Sequence, residues 1–168
     1  CVAGQGWHWD GVRFELLHPP QHLLQPAPDA AGWRAPKPNA LSCVLRITAA
    51  DGRAALLVGD IERDQEQALL AAAAPLAADL LLVPHHGSKT SSSDAFIAAV
   101  SPRLALVQAG YRNRFGHPAP EVAARYTERG ITLVQTPQCG AARWVSGQPQ
   151  DMHCERQAGR RYWHHPVP

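Results

Sequence analysis

The spacing of apolar positions changes along the chain, and each change predicts a different element. Residues 12–17 (VRFELL) alternate apolar with polar, the period of a half-buried strand. Residues 41–48 and 53–58 flank AADG, with Asp51-Gly52 at the turn, and predict a β-hairpin. From Gly59 onward strands alternate with helices. Residues 62–74 are strong helix formers, 79–83 read as a strand, a helix capped by Ser92 or Ser93 runs to Val100, and 103–108 form the next strand. Pro118 suits the first turn of a helix that continues to Arg129 and stops at Gly130, and residues 131–135 and 141–145 read as final strands. This order predicts an α/β fold. Six prolines between His18 and Asn39 predict a long surface loop over residues 18–40. The polar stretch 147–168 predicts a loosely ordered tail, which leaves 1–146 as the domain.

Composition adds bounds to this outline. A chain of 168 residues with 45% hydrophobic and 18% charged positions is sized for one domain with a core, which argues against disorder. A net charge of +2 does not point to nucleic acid. Locally, however, Arg103, Arg112, Arg114, Arg125 and Arg129 face only Glu121 and Glu128. Such a stretch suits a phosphate-bearing substrate, or equally a solvated helix face and loop. The apolar stretch 68–83 is too short for a membrane span and is interrupted by Pro75 and Asp79. Cys1, Cys43, Cys139 and Cys154 show no C-x-x-C pairing and read as buried thiols, or, in an oxidising compartment, with Cys139 and Cys154 bridged. A start at Cys1 rather than Met suggests a piece of a longer polypeptide.

Candidate chemistry follows the buried strands. The run LLLVPHHGSKTSSS carries an aliphatic strand straight into His85 and His86. Asp60 follows the preceding strand, and His117 lies after the next one. In open α/β sheets ligands bind at the carboxyl ends of strands, so these residues are candidates for one site. Carboxylate and imidazole together suit zinc, manganese or iron, with Asp60, His85 and His86 as candidate ligands. Taken singly, Gly59-Asp60 reads as a turn or cap and His85-His86 as polar loop. Ser88, Lys89 and Ser91 offer phosphate contacts near a helix N-terminus, and Asn113, Arg114 and His117 offer more from the later loop. Asp60, His85, Lys89 and His117 are the candidate catalytic set. His8, His18, His22, His164 and His165 lack a strand or partner spacing that would suggest a mechanism.

LLVGDIERDQEQALL, ADLLLVPHHGSKTSSSDAF, SPRLALVQAGYRNRFGHPAPEV and GITLVQTPQCGAARW together resemble the carboxyl-terminal metallo-β-lactamase-like domain of the ComEC/Rec2 competence proteins. GVRFELLHP and NALSCVLRI extend the resemblance to about residues 7–145. It implies the later half to two-thirds of an αββα sandwich, two facing sheets with helices outside. It implies two divalent metal ions, zinc or manganese, with Asp60 as the bridging carboxylate and His85 or His86 as the last histidine ligand, His85 being nearer the strand. It further implies a nuclease for the DNA strand that is not imported in natural transformation. Its partners would be single-stranded DNA and the membrane channel of the same parent, with this domain outside the cytoplasm at the bacterial inner membrane and no small-molecule cofactor. The H-x-H-x-D-H segment that supplies most ligands in that fold is absent, so the chain alone is expected to bind metal weakly and to be inactive. Two other readings fit the residues: a stand-alone hydrolase of a small ester or phosphodiester, and a non-catalytic remnant that binds nucleic acid.

Overall fold

The computed structural model describes residues 1–25 and 34–163. Seven strands form one sheet in chain order: β1 (Gly6–Trp9), β2 (Val12–His18), β3 (Val44–Thr48), β4 (Ala54–Leu57), β5 (Leu80–Leu82), β6 (Leu104–Val107) and β7 (Thr132–Gln135). Neighbours from β1 to β4 are antiparallel, and from β4 to β7 parallel. The change of direction follows from the connections. Asp10-Gly11 and Asp51-Gly52 sit in tight turns, whereas the later strands are joined through α2 (Arg63–Ala71), α3 (Asp94–Val100) and α4 (Pro120–Thr127).

Since β4 to β7 advance in one direction, right-handed crossovers bring the three helices to one face. Their buried residues Leu69, Phe96, Ile97, Val100, Val122 and Tyr126 join Leu56, Val58, Leu81 and Val107 in one core. Burial of this apolar set supplies the main driving force. Helix α2 opens with a capping box, Glu62 and Gln65 each accepting from the other's backbone amide. Glu66 is fully buried, and its carboxylate accepts from the Ser92 and Ser93 amides. The Tyr126 hydroxyl donates to Ser92 Oγ at 3.0 Å, and Arg125 holds the Ser91 and Ser92 carbonyls. A buried carboxylate is tolerated only when so satisfied, and this one fastens the turn ahead of α3 to α2.

Several expectations change. Residues 6–9 form a strand that the apolar pattern did not suggest, its turn marked by Asp10-Gly11. The proline-rich stretch is not wholly irregular, because α1 (Gln21–Leu24) and a 3₁₀ turn (Pro38–Leu41) lie in it, and residues 26–33 fall outside the described residues. Helix α4 begins at Pro120 rather than Pro118. Residues 141–145 shorten to β8 (Ala142–Arg143), which leaves the main sheet and pairs with β9 (His153–Cys154). The segment read as a loose tail therefore holds β9 and α6 (Glu155–Ala158), beside α5 (Thr136–Cys139). All four cysteines are bridged, Cys139 to Cys154 and Cys1 to Cys43, so none is a free thiol. The α/β class holds, but a second large sheet facing the first is not found among the described residues.

Asp79 secures the start of the parallel half. Its carboxylate accepts from Arg53 Nη1 at 2.9 Å and from the Ala54 amide at 3.0 Å, with Arg103 Nε 3.8 Å away. Burial opposes its charge, but the Ala54 amide, Arg53 and Arg103 outweigh it and hold the pKa below the usual carboxylate range. His18 is 3% exposed, with Nδ1 2.9 Å from the Ser42 carbonyl. Burial lowers its pKa, and the carbonyl offsets only part of that.

Asp79→Asn should cost about 1 kcal/mol at neutral pH, measured by urea unfolding. The wild-type contribution is present above about pH 3.9 and is lost as the pH falls through the lower folded pKa, so the variant should show a flatter acid limb. For His18 the unfolded chain takes up its proton first. Stability tied to it is therefore full above about pH 6.5 and declines as the pH falls from there toward the folded value. Thermal melts of His18→Gln over that range should show a weaker pH dependence than the wild type.

Candidate functional site

The loops that follow β4, β5 and β6 meet at the carboxyl edge of the parallel strands. After β4, Gly59 turns the chain with φ +55°, and the Asp60 amide donates to Ser42 Oγ at 3.1 Å. After β5, His85 (φ 46°), His86 (φ 56°) and Gly87 (φ 81°) are left-handed in succession. Two such residues with a Cβ cost about 1 to 3 kcal/mol each and persist only where neighbours over-determine the loop. Here they do. The His85 amide donates to the Gly59 carbonyl at 3.0 Å, and Ala119 donates to the Gly87 carbonyl at 2.9 Å. A Cβ on Gly87 would lie 2.6 Å from Pro118 Cβ, so the close approach of the two loops requires glycine.

The two histidines have different surroundings. His86 places Nδ1 2.7 Å from the Gln108 carbonyl and Nε2 3.4 Å from Asp60 Oδ1. The carbonyl can only accept, which fixes the proton on Nδ1 and leaves Nε2 facing the carboxylate. His85 turns away to Glu62, with Nδ1 3.2 Å from Oε1, and is also near Thr90 Oγ1 and Asn39 Nδ2. Asp60 thus sits beside His86, although the sequence favoured His85 as its companion. The His117 ring is 6.3 Å from that of His85 and stacks on Phe115. Its Nδ1 is buried without a hydrogen-bond partner among the described residues. Burial, followed by the nearby His85 and His86, pushes its pKa down and favours the neutral ring. A cleft of about 220 Å³ opens between His86, Gln108, Asn113, Phe115 and His117.

The remaining candidates are already engaged within the fold. Ser91 is buried and its hydroxyl donates to the Pro84 and Ser88 carbonyls, which makes it a brace of the histidine loop. Ser88 bonds to Thr90. Lys89 is 73% exposed and pairs with Glu121 at 3.0 Å. The Asn113 side chain clamps its own loop, donating to the His117 carbonyl at 2.7 Å and accepting from the His117 amide at 2.8 Å. Arg114 rests on Phe115 at 4.8 Å. Glu62, Asn39 and Thr90 around His85 escaped the sequence reading. Glu62 had a signal in E-x-x-Q ahead of a helix, but Asn39 arrives from a distant turn and carried none.

Asp60 and His86 are a chemically suitable donor pair for a divalent ion, since the carbonyl-fixed tautomer leaves Nε2 unprotonated beside the carboxylate. Among the described residues, however, no group of three His, Cys, Asp or Glu side chains converges as a ligand set. A catalytic zinc takes three protein ligands. The residues present therefore do not fit a whole metal centre by themselves.

No family model matches the chain. It is 37% identical over 147 residues to competence protein ComA of Neisseria gonorrhoeae, covering 87% of this chain and 20% of that protein. It is 39% identical over 142 residues to uncharacterized protein YcaI of Escherichia coli strain K12, covering 83% and 17% respectively. Recombination protein 2 of Haemophilus influenzae is 35% identical over 126 residues, covering 74% and 14%. The chain thus spans a fifth or less of the length of these relatives. Similarity over most of its own length, running through the strand edge that carries Asp60, His86 and His117, shows that the chain belongs to the ComEC/Rec2 competence family.

Proposed function

We propose that this chain is part of a metallo-β-lactamase-like hydrolase domain in a DNA-uptake protein, a nuclease that cuts the strand not imported. The observation that carries this reading is the Asp60–His86 pair, oriented by the Gln108 carbonyl at the carboxyl edge of the parallel strands. Zinc or manganese would need further ligands from the rest of the parent polypeptide. Within this chain, Gln108 fixes the His86 tautomer, Ser42 and Gly59 fix Asp60, and the cleft beside His117 gives room for a phosphodiester. A neutral His117 could donate or accept one hydrogen bond as charge develops on that group.

The two disulfides support placement in an oxidising compartment, outside the cytoplasm. Among the described residues no helix is long and apolar enough to cross a membrane, so attachment to the inner membrane is assigned to the parent's channel portion. Single-stranded DNA is the proposed substrate.

In the parent protein, Asp60→Asn and His86→Ala should each lower release of nucleotides from labelled single-stranded DNA by about a hundredfold or more, whereas His85→Ala should lower it less. Cleavage unchanged in Asp60→Asn would remove this edge from the chemistry. Turnover of small chromogenic phosphodiesters without DNA cleavage would instead favour a hydrolase of small esters.

A further inference from the structure

The loop between β6 and α4 combines exposed aromatic rings with guanidinium groups, and of these only Phe115 enters the site described above, as a wall of the cleft beside His117. Tyr111 is 45% exposed and Phe115 66% exposed. Arg112 Cζ lies 5.2 Å from the centre of the Tyr111 ring, and Arg114 Cζ 4.8 Å from that of Phe115. The other arginines of this stretch are committed elsewhere: Arg103 to Asp79, Arg125 to the Ser91 and Ser92 carbonyls, and Arg129 to Asp94. Arg112 and Arg114 form no ion pair among the described residues.

The loop is exposed but not shapeless. Asn113 bridges Gly110 and His117 through side chain and backbone, so the positions on either side of it are held outward from a fixed centre. Phe115 stacks on His117 with ring centres 5.8 Å apart and an interplanar angle of 18°, which makes the aromatic surface continuous with the cleft beside His86.

We propose that residues 111–115 form a stacking platform for unpaired nucleobases, with Arg112 and Arg114 on the adjoining phosphates. Every base has a π-face, so alternating ring and guanidinium recognises a single strand without reading its sequence. A guanidinium resting on a ring can move to a phosphate and leave the ring to a base, keeping both groups satisfied in the free and the bound states. In a duplex the bases are already stacked and unavailable. The platform rests on the nuclease reading only for its position: it would set the preference for single strands and the entry of the chain into the cleft.

The test measures binding rather than cleavage, by fluorescence anisotropy in the presence of a chelator. The probes are a labelled thymidine oligomer of about 15 nucleotides and an abasic strand of equal length. The wild-type chain should prefer the thymidine strand by about tenfold or more. Tyr111→Ala with Phe115→Ala should bring that ratio close to one, and Tyr111→Phe should retain it. Arg112→Ala with Arg114→Ala should weaken both probes and reduce the salt slope by about 1.4. Circular dichroism melts of each variant establish that the loop changes leave the fold intact.

Equal wild-type binding of the two probes, or an undiminished ratio in the double aromatic variant, would overturn the platform. So would anionic phosphatidylglycerol vesicles losing affinity for the aromatic variant while the probe ratio stays fixed, since that marks a membrane-facing loop. The nuclease reading fails separately, through cleavage retained by Asp60→Asn, and the binding ratio is unaffected by that outcome.

Discussion

The site depends on a contact that only a residue without a Cβ can make. Gly87 lies so close to Pro118 that the loop after β5 and the loop before α4 share one backbone layer, joined by the Ala119 to Gly87 hydrogen bond. That contact pins the end of a left-handed run through His85 and His86, a backbone that ordinary residues avoid. Ser91 secures the same loop from beneath through the Pro84 and Ser88 carbonyls, and Glu66 secures the next turn through two amides. The strain is therefore held by hydrogen bonds to parts of the chain that are themselves buried, as a preorganised site requires.

This explains why the two histidines are not equivalent despite being adjacent. Successive left-handed residues send neighbouring side chains to different partners. One ring reaches Glu62 at the start of α2, and the other reaches Asp60 between β4 and α2. The Gln108 carbonyl comes from the end of β6, so the orientation of a single imidazole depends on β4, β5 and β6 being in register.

Much of the fold was legible because its strands and helices announce themselves by period and by turn residues. The apolar run ending at Pro84 and the Asp51-Gly52 turn are such signals, and the structure places strands there. The strand at residues 6–9 was missed because all its positions are exposed, so no core face imprints a period on it. The tail was misread for a related reason: β9 and α6 are held by the Cys139–Cys154 bridge, and a polar segment fastened covalently needs little apolar patterning. For the site, strand ends pointed to Asp60, the His85-His86 pair and His117 along one edge, and their side chains do lie near one another there. Which histidine faces Asp60 was not legible, because it turns on the sign of φ at two non-glycine residues.

Charge shows the same limit from another direction. Five arginines near α4 look alike in the sequence, yet three of them serve the fold, through Asp79, two carbonyls and Asp94. The arginines that stay on the surface flank Asn113, whose side chain closes its own loop and so presents Tyr111, Arg112, Arg114 and Phe115 around a fixed turn. Local net charge is therefore a poor guide to a binding face here. What separates a structural arginine from an available one is whether a carbonyl or carboxylate of another element lies within its reach, and that is settled by tertiary packing rather than by composition.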